Sequence, residues 1–260
     1  MPWDTSAVTR NNATMKEILL AQISSKAQGS VGDGRKETNV DVMASSHDDG
    51  PSYSPLNPSS EVADVLVANL KMFLFAGHDT TPSTLCFMIK LLQDNPSCLT
   101  KLREEHDAVL GTDPEKAASV LIESPHLLSS LPYTLGVIKE TLRLYPQAGT
   151  MRESPAGFLL SGDKGTQYPV EGFDLWLSAH TIHRNPHYWT RPEEFLPERW
   201  TVRKDDPLYP PQHNAFLPFS IGPRNCIGME LAMTEMKLVL VLMVRTFEIR
   251  EAWKEWDELQ

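Results

Sequence analysis

The stretch that most constrains the fold lies near the carboxyl end. There Phe219, Ser220, Ile221, Gly222, Pro223, Arg224, Asn225, Cys226, Ile227 and Gly228 run into an apolar segment from Met229 to Val244. Two glycines and a proline predict a tight turn, and the apolar segment predicts a helix, so Cys226 falls at or just before a helix N-terminus. The unpaired N–H groups and partial positive charge of that terminus, with Arg224 two residues earlier, suit a negatively charged sulfur. Such a sulfur can serve as a nucleophile, a zinc ligand or an axial ligand of haem iron, and the loop alone does not choose.

The rest of the chain narrows the choice. Its 260 residues allow one large domain or two small ones. A net charge of −10 without a basic block argues against a nucleic-acid partner. The three cysteines, Cys86, Cys98 and Cys226, are odd in number and far apart, which argues against a disulfide framework and for a reducing compartment. Zinc would need further ligands at the usual spacings, and the sequence offers none. Neither a signal peptide nor a membrane anchor is visible, so the chain as written reads as soluble or peripheral.

Residues 1–56 read as a mobile, low-complexity segment with a short helix over Met15–Ile23, followed by stretches rich in Gly, Ser, Asn and Asp at Gly29–Gly34 and Ser45–Pro58. Asn57 and Pro58 suit the start of a helix that continues to Leu92, on the order of 50 Å long, before Asp94, Asn95 and Pro96 stop it. Its middle, Ala76-Gly77-His78-Asp79-Thr80-Thr81-Pro82, is poor helix material. Pro82 cannot bond the carbonyl of His78, which predicts a kink or an opening there. A second helix is expected over Ser97–Leu110, ending at Gly111, with Lys101, Arg103, Glu104 and Glu105 on a solvated face. A third runs from Pro132 to Tyr145 and puts Glu140 and Arg143 on one face, by itself the pattern of a surface ion pair.

From Gln147 to Ala179 the pattern is short strands and turns, including Gly157–Ser161 and Phe173–Leu177. The Pro- and Trp-rich stretch from His183 to Trp200 reads as ordered loop, because its large aromatics need burial. The fold class is mainly α with a small β-sheet.

Four features thus stand in order: the irregular 76–81 helix, Glu140 with Arg143, Pro197-Glu198-Arg199-Trp200, and the cysteine loop. Together they resemble the cytochrome P450 family of haem-thiolate monooxygenases, in the style of its eukaryotic members, fungal ones among them. The loop matches the family signature at Phe219, Gly222, Arg224, Cys226 and Gly228, a coincidence on the order of 1 in 10,000 or less by residue usage. The resemblance covers approximately residues 57–250. It implies that 57–260 is the carboxyl-terminal, haem-binding part of the domain, and that a whole family member carries a further amino-terminal half.

By this resemblance Cys226 is the axial ligand of haem iron, where a thiolate favours cleavage of the O–O bond of dioxygen. Phe219 packs beside it, Gly222 and Gly228 let the backbone approach, and Arg224 and Arg152 pair with the haem propionates. Asp79 and Thr80 match the acid and alcohol that deliver protons, with Gly77 leaving room for dioxygen. Glu140, Arg143 and Arg199 match a buried triad, with Trp200 where the family often has Phe. The implied activity is hydroxylation or epoxidation of a hydrophobic small molecule, a lipid or secondary metabolite, with NADPH electrons from a flavoprotein reductase. A full-length parent would sit at the endoplasmic reticulum membrane. The competing expectation is a truncated, non-catalytic fragment that cannot hold haem alone.

Overall fold

Where apolar spacing and helix-stopping residues fall decides the elements seen in the computed structural model, which describes residues 5–29, 61–211 and 214–258. Most of the segment expected to be mobile, and the helix start expected at Asn57, lie outside them. The chain divides into two units, residues 1–78 and 79–260, and helix α2 (Glu61–Asp94) contributes to both. In the first unit, helix α1 (Thr5–Gly29) contains the short helix expected at Met15–Ile23 and packs Leu19 and Leu20 against Leu66, Val67 and Leu70 of α2.

α2 stays helical through Pro82, so the expected opening does not occur. An interior proline costs about 3 kcal/mol. The burial of Met88, Leu91 and Leu92 just beyond it offsets that cost, at roughly 1.5–3 kcal/mol for each side chain removed from water.

The second unit continues with α3 (Pro96–Leu110), α4 (Ala117–Glu123) and α5 (Pro132–Leu144). Four short strands follow: β1 (Thr150–Glu153), β2 (Leu159–Ser161), β3 (Gln167–Pro169) and β4 (Asp174–Leu177). Then come α6 (Ala179–His183), α7 (Met229–Met243) and α8 (Trp253–Glu258). The small sheet is two antiparallel pairs, β1 with β4 and β2 with β3, with Met151 opposite Trp176 and Leu160 opposite Tyr168. The main core joins Met88, Leu91 and Leu92 of α2, Cys98 and Leu102 of α3, Val137, Ile138 and Leu142 of α5, and Met236 and Leu240 of α7. A second cluster, Leu110, Ala117, Leu121, Leu131 and Val241, seats α4, a helix that the expectations above do not include. Two turns of helix between prolines are too short for a periodic signal.

α3 carries its buried residues every fourth position, at Cys98, Leu102, His106 and Leu110. The face expected to be solvated is partly engaged. Arg103 Nε donates to the Val244 carbonyl at 2.7 Å, and Lys101 pairs with Glu198 at 2.6 Å. Glu105 accepts the backbone N–H groups of Tyr133 and Thr134 at 2.6 and 2.8 Å. The reason lies at the start of α5, where Leu131 provides no side-chain cap and a carboxylate from α3 takes that place.

His106 is fully buried on the apolar stripe. The Thr134 hydroxyl donates to Glu105 at 2.6 Å, so it accepts from His106 Nε2–H at 2.9 Å, and the imidazole is neutral with Nδ1 bare. Burial, reinforced by the Arg245 charge, holds its pKa down to about 4. Its contribution to stability is therefore complete above the ordinary value near 6.5 and is lost as pH falls from there towards 4. A loss on the order of 3 kcal/mol is expected in urea titrations across that range. In His106→Leu, that part of the pH dependence disappears.

Candidate functional site

The cysteine loop is built on a turn that begins before its glycines. Ser220 N–H donates to the Leu217 carbonyl at 3.2 Å, Asn225 N–H to Gly222 at 3.1 Å and Cys226 N–H to Phe219 at 2.9 Å. Ser220 and Gly222 both take positive φ, 59° and 75°. Glycine adopts that conformation freely and serine does not, so Ser220 is a point of backbone strain that sequence reading missed. α7 starts at Met229 with Gly228 as its cap, which places Cys226 two residues before the cap rather than at it. The Cys226 carbonyl accepts from Met229 N–H at 3.4 Å. Phe219 is half-buried against the main core, whereas Cys226 is exposed among exposed apolar neighbours, Ile221, Ile227 and Leu231.

Glu140 of α5 is fully buried with Arg143 and Arg199. Its Oε1 accepts from Arg143 Nη2 at 2.8 Å, Arg199 Nε at 3.2 Å and Leu196 N–H at 3.1 Å. Its Oε2 accepts from Arg143 Nε and from Trp200 Nε1, both at 3.0 Å. One carboxylate thus faces two guanidiniums, and the surplus positive charge is spread over carbonyls: His183, Pro192 and Glu194 for Arg143, and Thr190, Leu208 and Arg191 for Arg199. Burial pulls the Arg199 pKa below its ordinary value, and Glu140 opposes that shift. Trp189, 1% exposed, lies under both guanidiniums, whose carbons stand 5.2 and 5.7 Å from its ring centroid. Close approach of α5 to the 197–200 turn depends on Gly136, where an added Cβ would come 2.7 Å from the Pro197 carbonyl oxygen.

The other expected site residues are placed separately. Asp79 and Thr80 are exposed on α2, next to buried Thr81 and Thr84, and Thr84 Oγ1 donates back to the Thr80 carbonyl at 2.9 Å. Gly77 has open space where a Cβ would stand. Arg152 is exposed on β1, its Nη1 donating to the Met151 carbonyl at 2.7 Å, and Arg224 is exposed in the cysteine loop. None of these is a partner of Glu140.

Trp200 does what a phenylalanine at its position cannot, because only an indole offers Glu140 an N–H. Trp200→Phe is expected to cost about 1.5–3 kcal/mol, the range for a hydrogen bond to a charged group, measured by thermal or urea unfolding.

The cytochrome P450 family model matches residues 15–258. The chain is 44% identical over 210 residues to cytochrome P450 monooxygenase polC of Polytolypa hystricis, covering 81% of this chain and 38% of that protein. It is 36% identical over 234 residues to cytochrome P450 monooxygenase acrF of Aspergillus aculeatus, covering 84% and 47% respectively. It is 37% identical over 201 residues to mouse cytochrome P450 3A13, covering 76% and 37%. The chain therefore spans less than half the length of these relatives. With a match across nearly its whole length, a solitary cysteine in the signature turn and a buried Glu–Arg–Arg cluster, the chain belongs to the cytochrome P450 family.

Proposed function

We propose that this chain contributes the haem-thiolate site of a monooxygenase that inserts one oxygen atom of dioxygen into a hydrophobic small molecule, by hydroxylation or epoxidation. The observation that carries the reading is Cys226, an exposed sulfur on a hydrogen-bonded turn with apolar residues on either side. Among the described residues no three His, Cys, Asp or Glu side chains converge as a metal site, so the donor set does not suit a metal held by side chains alone. It would suit haem, which needs only a single sulfur from the protein, the one that Cys226 would supply. When bound, haem supplies the reductive activation of dioxygen.

The chain's own residues then divide the work. Cys226 would hold the iron, with Gly222 and Gly228 shaping its turn and half-buried Phe219 excluding water on the core side. Arg224 and Arg152, both exposed cations, would take the two propionates. Asp79 would exchange protons with water and pass them to the Thr80 hydroxyl, both groups being exposed on one turn of α2. Glu140, Arg143 and Arg199 would hold the loops around the site rather than react. Likeness to fungal proteins named as monooxygenases supports the oxygenation itself; the proposal extends to a lipid or secondary metabolite as substrate, electrons from NADPH through a flavoprotein reductase, and a parent protein at the endoplasmic reticulum membrane. Among the described residues no helix is long and apolar enough to cross a membrane.

Thr80→Ala tests the proton route. In protein supplied with haem and reductase, peroxide released per NADPH consumed is expected to rise severalfold, and unchanged coupling would remove Thr80 from the mechanism. A second reading, a fragment that does not hold haem alone, is favoured by the exposed apolar side chains of Met72, Leu74 and Phe75 on α2. The two readings differ in whether the chain supplied with haem forms a thiolate-ligated species.

A further inference from the structure

The imidazole of His183 has no role in the site described above, yet it is fully buried and bonded through both ring nitrogens. Leu217 N–H donates to Nε2 at 2.7 Å, so Nε2 carries no proton. The proton is on Nδ1, which donates to the Arg143 carbonyl at 3.1 Å, and the His183 carbonyl in turn accepts from Arg143 Nη1 at 2.9 Å. These bonds join the ends of α5 and α6 to Leu217. The Leu217 carbonyl accepts the Ser220 N–H that opens the cysteine turn. Adjacent Arg184 works the same way, its Nη2 donating to the Leu144 carbonyl at 3.0 Å, so the two residues together satisfy the last carbonyls of α5.

We propose that neutral His183 is a positioning residue for the cysteine loop: it fixes the backbone of Leu217 against the carboxyl end of α5 and thereby sets where the turn bearing Cys226 begins. Only its consequence for haem binding rests on the function proposed above. A second proton would have to sit on Nε2, setting donor against donor at Leu217 N–H, and would break the tie. The groups around the ring oppose that proton. The Arg143 guanidinium faces it from α5, and His180 lies one turn earlier on α6. Trp189 and Phe216, with ring centroids 6.4 and 5.4 Å away, are uncharged, and no other charged group is seen against the ring among the described residues. Burial is the largest influence and holds His183 down to about 4, against the favourable carbonyls of Arg143 and Leu142.

The test is backbone hydrogen exchange on the full chain without haem, corrected for intrinsic rate, following residues 217–226 with the core segment 85–94 as reference. In the parent, loop protection is expected to fall on the order of tenfold per pH unit between pH 6.5 and 4.5, with the reference segment recording the global loss to which His106 contributes. His183→Gln, whose amide oxygen can accept from Leu217 without titrating, should keep the loop protected across that range. His183→Leu should show at pH 7 the low loop protection that the parent shows only in acid. The proposal is overturned if the parent's loop keeps its protection across that range, if His183→Gln keeps the parent's pH response, or if His183→Leu protects the loop like the parent. The parent comparison needs no variant to fold. Because haem is absent, failure here leaves the Cys226 assignment standing, and failure of that assignment leaves this tie intact.

Discussion

Replacing Glu140 with alanine is expected to destabilise the chain by about 3–5 kcal/mol, the scale for leaving buried charges unpaired. Arg143 and Arg199 would stay in place, 0% and 1% exposed, with no carboxylate between them. Leu196 N–H and Trp200 Nε1 would lose their acceptor as well. A loss that large is a major fraction of the stability of an ordinary domain, so haem uptake should fail with it. Equilibrium unfolding in urea measures the effect, and a change within about 0.5 kcal/mol, as for an ordinary surface substitution, would contradict it. The double variant Glu140→Ala with Arg199→Met should recover part of the loss, because it removes one of the stranded charges. Full additivity of the two single changes would show that the pair is not coupled.

The sequence made some of this arrangement legible and left the rest hidden, for physical reasons. Long elements announced themselves: the fourfold spacing of Cys98, Leu102, His106 and Leu110 marks one face of α3, and Pro132 and Pro146 bracket α5. The cysteine turn is written in Gly222, Pro223 and Gly228, whose backbone limits act locally. Glu140 and Arg143 share a face at a spacing of three, but nothing local distinguishes a solvated pair from one covered by Trp189 and Trp200. That cover comes from residues about 45 to 60 positions later, and only the family likeness joined Arg199 to the pair. Glu105 and His183 were missed for the same cause: Glu105 satisfies the start of α5 and His183 its carboxyl end, each from another element, a need visible only when the helix end is seen buried. Pro82 shows the opposite failure, because its local cost was legible and the packing that outweighs it was not.

Cys226 carries the largest expected effect on function. Its thiol is one of three free cysteines, and it differs from buried Cys98 in exposure and from exposed Cys86, which lies within α2, in standing on a turn shaped by Ser220 and Gly222. Cys226→Ser should abolish the haem-thiolate signature while leaving fold stability nearly unchanged, since an exposed side chain contributes little packing. Glu140→Ala should abolish both. That contrast separates a residue that binds from one that holds the fold.

The most direct measurement is the absorption spectrum of the haem-supplied chain, reduced and exposed to carbon monoxide, for the parent and for Cys226→Ser. The parent should show the strongly red-shifted band of a thiolate-ligated haem, and the variant should lack it. No such band in the parent, or the same band in both, would rule out Cys226 as the iron ligand of this chain.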